Sequence, residues 1–267
     1  MKHDIDRLVT AALSGVESSL SRLLTIVEND DKDVAEILKT ISPNLGKAYC
    51  IGITGSPGTG KSTLIDKLVA TIRSKGLTVG VICIDPSSPV TGGAVLGDRI
   101  RMEQHYSDDG VFIRSMASRG NYGGISKAVG ASVALLDAFG KDVVIVETVG
   151  IGQEGIDITK LVHVTVFVMA PGGGDSVQFM KAGILEVSDI IVVNKADLGA
   201  DGLVAEIEGI VAFGTTKSTQ PVVQTQALND VGIEELYGVL EKQRNDYLLG
   251  DTQKRSEFMA EHRKKKD

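Results

Sequence analysis

The chain has 267 residues, 42% of them hydrophobic, enough for one sizeable α/β core with a small appendage. A formal net charge of −7 and a pI near 5.2 argue against a non-specific nucleic-acid binder, which needs a basic face. Cys50 and Cys83 lie in apolar runs and read as buried reduced thiols; the N-terminus MKHDIDRL lacks a secretory apolar stretch, and no apolar run reaches the length of a membrane span, so a cytoplasmic protein is expected.

In chain order, Ile5, Leu8, Val9, Ala12, Val16, Leu20, Leu23, Leu24 and Val27 recur at three- and four-residue spacing. That predicts one amphipathic helix over 4–28. A second, short helix places Val34, Ile37, Leu38 and Ile41 on one face and is broken by Ser42-Pro43-Asn44. Residues 1–46 therefore read as a helical extension. Beyond Lys47 short apolar runs alternate with helical patterns. The runs are 49–54, 78–84, 111–116, 142–147, 164–169, 189–193 and 221–225; the helical patterns lie near 61–75, 97–106, 124–139, 175–186, 201–213 and 232–249. Runs apolar on both faces and separated by helices are parallel strands covered on both sides. The expectation is a doubly wound, mostly parallel α/β domain over 47–249. The tail, 250–267, is charged, with Phe258 and Met259 as its few apolar anchors, and reads either as a solvated helix or as a partner-binding arm.

The first strand runs into Gly55-Ser56-Pro57-Gly58-Thr59-Gly60-Lys61-Ser62-Thr63 and then the helical LIDKLVATI. This is the G-x-x-x-x-G-K-[ST] phosphate loop in its required strand–loop–helix context. The glycines let backbone N–H groups wrap an anion, and the helix N-terminus adds partial positive charge beneath it. Lys61 is the candidate to neutralise β- and γ-phosphates, and the Ser62 hydroxyl to ligate Mg²⁺. A later strand ends at Asn194-Lys195-Ala196-Asp197. A carboxylate at Asp197 accepts both guanine donors, N1–H and the 2-amino group, whereas adenine would leave it desolvated and unpaired. The Lys195 stem can lie over the base plane and Asn194 can tie neighbouring loops together. After the last strand, Gln226-Ala227-Leu228 stands where many GTPases have a serine–alanine pair, and a backbone N–H at Ala227 can still meet guanine O6.

Glu147, at the end of 142–147, is a hard oxygen ligand that can hold Mg²⁺ directly or through water, and Gly150 can offer its N–H to a γ-phosphate. Asp85 ends a neighbouring strand at the edge where ligands of such sheets bind. Asp98 is a third acidic candidate for the metal, or else a helix N-terminal charge. The segments Thr91-Gly92-Gly93-Ala94, Gly150-Ile151-Gly152-Gln153-Glu154 and Pro171-Gly172-Gly173-Gly174-Asp175 are candidate switches. Ile151 follows Gly150 where a water-orienting glutamine is often found; an apolar side chain cannot orient water, which leaves Gln153 or Asp85 as substitutes.

GITGSPGTGKSTLIDKL, IDPSSP, GGAVLGDRIRM, ETVGIGQ, APGGGD and VVNKADLGADG, in this order, resemble the MeaB/ArgK family. The similarity runs from the first helix to about Leu249. It implies a P-loop GTPase of the SIMIBI class, with Mg²⁺ as cofactor and GTP and GDP as substrate and product. It also implies a chaperone that protects an adenosylcobalamin-dependent acyl-CoA mutase of the methylmalonyl-CoA mutase type and gates delivery or removal of its cofactor. Relatives carry a longer C-terminal region that helps them dimerise; this chain stops at Asp267, and a homodimer is kept as one option. The second switch reads GQEG where GQSE is common. Alternative functions are a metallochaperone GTPase for metalloenzyme maturation, an ATPase or kinase of amino-acid transport, and a nucleotide-binding regulatory subunit without turnover. The scattered histidines His3, His105, His163 and His262 and the N-K-A-D sequence speak against the first two.

Overall fold

The computed structural model describes residues 2–29, 32–85, 102–117, 127–148, 157–172, 184–212 and 220–249. Its N-terminal helices are α1 (Lys2–Leu13), α2 (Glu17–Glu28) and α3 (Val34–Ile41). The single helix expected over 4–28 is thus two helices. Gly15, at φ +93, ends the first, with Val16 N–H donating to Ala11 O at 3.0 Å and Gly15 N–H to Ala12 O at 2.9 Å. This pattern is a Schellman stop, in which glycine takes the left-handed position at no steric cost. Leucine spacing carried on across the break and concealed it.

The strands are β1 (Tyr49–Gly55), β2 (Val79–Asp85), β3 (Val111–Ala117), β4 (Val143–Glu147), β5 (Val164–Met169), β6 (Ile190–Val193) and β7 (Val222–Gln224). They form a sheet ordered β3-β2-β4-β1-β5-β6-β7, and every pairing is parallel. The larger helices between and after them are α4 (Lys61–Ser74), α5 (Lys127–Phe139), α6 (Asp201–Ala212) and α7 (Ile233–Leu249). The sheet and helices match the doubly wound α/β expectation, with element ends moved by one to three residues. Of the expected helix over 97–106, the described part is the short turn Glu103–His105, and of 175–186 it is the start of the one-turn segment Ile184–Val187. The tail from 250 on lies outside the described residues.

Alternation along the strands sorts the core into layers. Cys50, Ile82, Val144 and Val146 face α1–α3 and α5; Ile51, Ile53, Val81, Cys83 and Ile145 face α4 and α7. A third apolar cluster holds Phe167 and Ile191 against Val204 and Ile207 of α6. On α2, Leu20, Leu23, Leu24 and Val27 are all buried, in the same cluster as α5. Burying each such side chain is worth about 1.5–3 kcal/mol, so the N-terminal helices are held by the same core as the sheet. Where they join it, the buried Asp137 carboxylate accepts from the N–H groups of Gly46, Lys47 and Ala48 at 2.5, 3.0 and 2.8 Å. Both cysteines are buried free thiols. Burial pushes the Cys50 thiol far above its ordinary value, with Asp137 adding to it, so this sulfur stays protonated and inert. Among the described residues no helix is long and apolar enough to cross a membrane.

The same alternation positions the site. Asp85 continues the parity of Val79, Val81 and Cys83, and Glu147 that of Val143 and Ile145, so both carboxylates emerge on the α4 side of the sheet's C-terminal edge.

Candidate nucleotide site

β1 is the central strand, flanked by β4 and β5, and the phosphate loop leaves its C-terminal end. Gly55 is confined there: its φ is +148, and a Cβ would overlap the Val168 carbonyl oxygen of β5. The loop then turns directly into α4, whose first residue is Lys61. The N–H groups of this first turn and the helix dipole therefore face the loop's concavity. The Lys61 side chain is buried, and its ammonium donates to Gly55 O at 2.9 Å and Ser56 O at 3.1 Å. Those carbonyls hold the cation at the loop, where a phosphate oxygen competes for it more strongly than a neutral carbonyl does.

Ser62 Oγ donates to Glu147 Oε1 at 2.9 Å, joining α4 to the end of β4. Asp85 ends β2 and is 3% exposed; Cys83, two residues before it, pairs in register with Glu147. One turn beyond Ser62 on α4, Asp66 is buried as well. Gln104 Nε2 donates to its carboxylate at 2.5 Å, and His105 Nε2 lies 3.1 Å from its backbone oxygen and 3.3 Å from its carboxylate. Sequence reading missed Asp66, although a lone carboxylate within the apolar LIDKLV pattern was a visible signal.

The segment Asn194-Lys195-Ala196-Asp197 meets the phosphate loop through Asn194, which is 2% exposed. Its Nδ2 donates to Thr59 O at 2.9 Å; its Oδ1 accepts from Thr225 Oγ1 at 3.0 Å and from Ala227 N–H at 3.1 Å. Three loops far apart in sequence are thereby locked together. The Ala227 N–H, expected to face guanine O6, is already engaged by Asn194, so an O6 contact would share that donor. Lys195 has φ +57, a left-handed conformation uncommon away from glycine. It aims Nζ at Gly58 O, 2.7 Å away, laying the side chain along the phosphate loop. Asp197 sits exposed on the turn Ala196–Leu198, and Leu228 is 80% exposed on the facing loop. Pro57 and Thr63 take their expected places in the loop and in the first turn of α4. Asp98, Gly150, Ile151 and Gln153 lie outside the described residues, as do two of the glycine-rich segments and most of the third.

A family model described as "Methylmalonyl Co-A mutase-associated GTPase MeaB" matches residues 20–266. A Pyrococcus abyssi protein assigned as a GTPase is 49% identical over 246 residues, covering 90% of this chain and 76% of that one. The "GTPase ArgK" of Escherichia coli is 40% identical over 187 residues, covering 68% of this chain and 56% of its own length. The mouse "Methylmalonic aciduria type A homolog, mitochondrial" is 31% identical over 207 residues, covering 72% and 50%. Among solved structures, a "LAO/AO transport system kinase" superposes with a TM-score of 0.75 at 24% identity, over 99% of this chain and 82% of that one. HypB from Helicobacter pylori gives a TM-score of 0.59 at 18% identity, over 80% and 95%. These two likenesses are of fold, and they agree with the all-parallel sheet. The family match spans nearly the whole chain and includes both the phosphate loop and residues 194–197: the chain belongs to the MeaB family and is a P-loop GTPase.

Proposed function

We propose that this GTPase binds Mg·GTP at the C-terminal edge of β1 and uses hydrolysis to assist and protect an adenosylcobalamin-dependent acyl-CoA mutase of the methylmalonyl-CoA mutase type. The observation that carries the mutase reading is the family match over residues 20–266. The chemistry of the site supports Mg²⁺. Ser62 Oγ and Glu147 Oε1 lie 2.9 Å apart, and Asp85 ends the neighbouring strand on the same side of the sheet. All are hard oxygens. Such oxygen donors fit Mg²⁺, which keeps waters and takes phosphate oxygens in place of an all-protein cage. When bound, the ion would neutralise charge between the β- and γ-phosphates.

This chain's own residues do the rest. Lys61 supplies a second positive charge at the transferring phosphoryl. Asp197 selects guanine by accepting its two donors, with Lys195 and Leu228 on either side of the base. Asn194 holds phosphate loop and base loop at one spacing, so base recognition and phosphate placement act together. Ile151 stands where a water-orienting side chain is often found, so hydrolysis by the isolated protein is slow and the mutase accelerates it.

Two measurements test the reading. Calorimetric titration should show GDP binding much more tightly than ADP, with Asp197→Asn eroding the difference; equal affinities would reject the guanine assignment. Single-turnover GTP hydrolysis should accelerate on adding an adenosylcobalamin-dependent acyl-CoA mutase. A rate already fast alone, and unchanged at saturating mutase, would reject partner-gated turnover while leaving the GTPase intact.

A further inference from the structure

Thr54 and Thr148 stand where the chain leaves β1 and β4, and both are fully buried. The Thr148 hydroxyl donates to Thr54 Oγ1 at 2.8 Å, and the Thr148 N–H donates to Ile53 O at 3.0 Å. Register pairs Ile53 with Glu147. The residue after Glu147 is therefore tied twice, through backbone and side chain, to the two residues before Gly55. By strand alternation the threonine pair lies on the sheet face opposite the Glu147 side chain. The Glu147 backbone is gripped from one face while its carboxylate reaches Ser62 on the other.

Packing does not demand hydroxyls here. The inner residues of β4 are valine and isoleucine, and valine fills the volume of threonine. Exchanging a buried hydrogen-bonded pair for apolar groups of the same shape is close to neutral in stability. What the hydroxyl pair adds is direction, because a hydrogen bond weakens steeply with misalignment and so fixes the rotation of the chain at Thr148. A carboxylate at the end of a glutamate side chain magnifies any backbone rotation beneath it.

We infer that the Thr54–Thr148 hydroxyl pair positions Glu147 for the cation that accompanies the nucleotide. This rests on the proposed Mg²⁺ reading of the site. The two threonines touch neither nucleotide nor ion; they act through Glu147. Groups that orient a ligand in this way commonly change metal affinity by about 10–100-fold when removed.

The test uses Mn²⁺ as a paramagnetic stand-in, with binding to the GDP complex read by electron paramagnetic resonance, beside GDP affinity in excess EDTA and the melting temperature. Thr148→Val should weaken Mn²⁺ binding about tenfold and leave GDP affinity in EDTA unchanged, with Thr148→Ser restoring the ion. The double variant Thr54→Val/Thr148→Val should bind Mn²⁺ as weakly as the single one; it decides the matter should the single variant fail to fold. Wild-type Mn²⁺ affinity in the valine variants, or its return in the double variant together with the melting temperature, would reduce the pair to packing and overturn the inference. Wild-type protein that binds GDP but no Mn²⁺ would overturn the magnesium reading and the inference with it.

Discussion

Asn194 offers the sharpest test of how this site is wired. Replacing it by alanine removes three buried hydrogen bonds: to Thr59 O at 2.9 Å, from Thr225 Oγ1 at 3.0 Å and from Ala227 N–H at 3.1 Å. At about 1 kcal/mol net for each bond, the loss is roughly 3 kcal/mol, on the order of 10²-fold in an equilibrium constant. The Ala227 N–H and the Thr59 carbonyl are buried and lose their partner, which moves the cost toward the upper end of that figure. The cost divides between folding and binding, because the bridge both stabilises the apo protein and sets the spacing that the nucleotide reads. Urea denaturation should therefore show a loss of about 2–4 kcal/mol, and calorimetry a GDP affinity at least about tenfold weaker. Asn194→Asp is the companion variant. It keeps both acceptor contacts but turns an oxygen toward Thr59 O, so it should be no better than alanine. A GDP affinity within about twofold of wild type and an unchanged denaturation midpoint for Asn194→Ala would refute the bridge as the coupling between the two loops.

Lys61→Ala should abolish phosphate release from GTP while the protein still folds, since the ammonium's bonds to Gly55 O and Ser56 O lie within the loop itself; retained hydrolysis would remove Lys61 from the chemistry. Asp66→Ala should lower stability by about 1–3 kcal/mol, because it leaves Gln104 Nε2 without its carboxylate acceptor, while His105 keeps its 3.1 Å contact with the Asp66 backbone oxygen; thermal melting measures it. Asp108 is held below the ordinary carboxylate range, first by the Arg73 side chain and then by the Gly110 N–H. A folded-state value below the unfolded one means that the pair stabilises above the ordinary carboxylate pKa and that this contribution is lost as pH falls through about 4 and below. Asp108→Asn should accordingly flatten the acid side of the stability profile measured by urea titration across that range, and an unaltered profile would count against the pair.

What could be read from the sequence alone is what depends on neighbours along the chain. The phosphate loop is contiguous, from the apolar β1 through Gly55–Lys61 to α4, and its glycines and lysine declare their use by spacing. Asn194-Lys195-Ala196-Asp197 is likewise contiguous at the end of β6, and all seven strands announce themselves as short runs apolar on both faces. Even the break at Gly15 was written in the sequence, although the leucine spacing on either side outweighed it.

The tertiary structure alone decided the rest. Apolar strands pair with one another without regard to identity, so the order β3-β2-β4-β1-β5-β6-β7 follows from crossover and packing constraints that no single run contains. That order sets β4 beside β1, and so puts Glu147 against Ser62, 85 residues away, and Thr148 against Thr54, 94 away. It likewise brings Asn194 to Thr59 across 135 residues, and Asp66 under Gln104 and His105. A side chain's local sequence tells which hydrogen bonds it can make. Which partner it meets is settled only when the sheet closes around it, because hydrogen bonds are short and directional and the chain must first bring the two groups together.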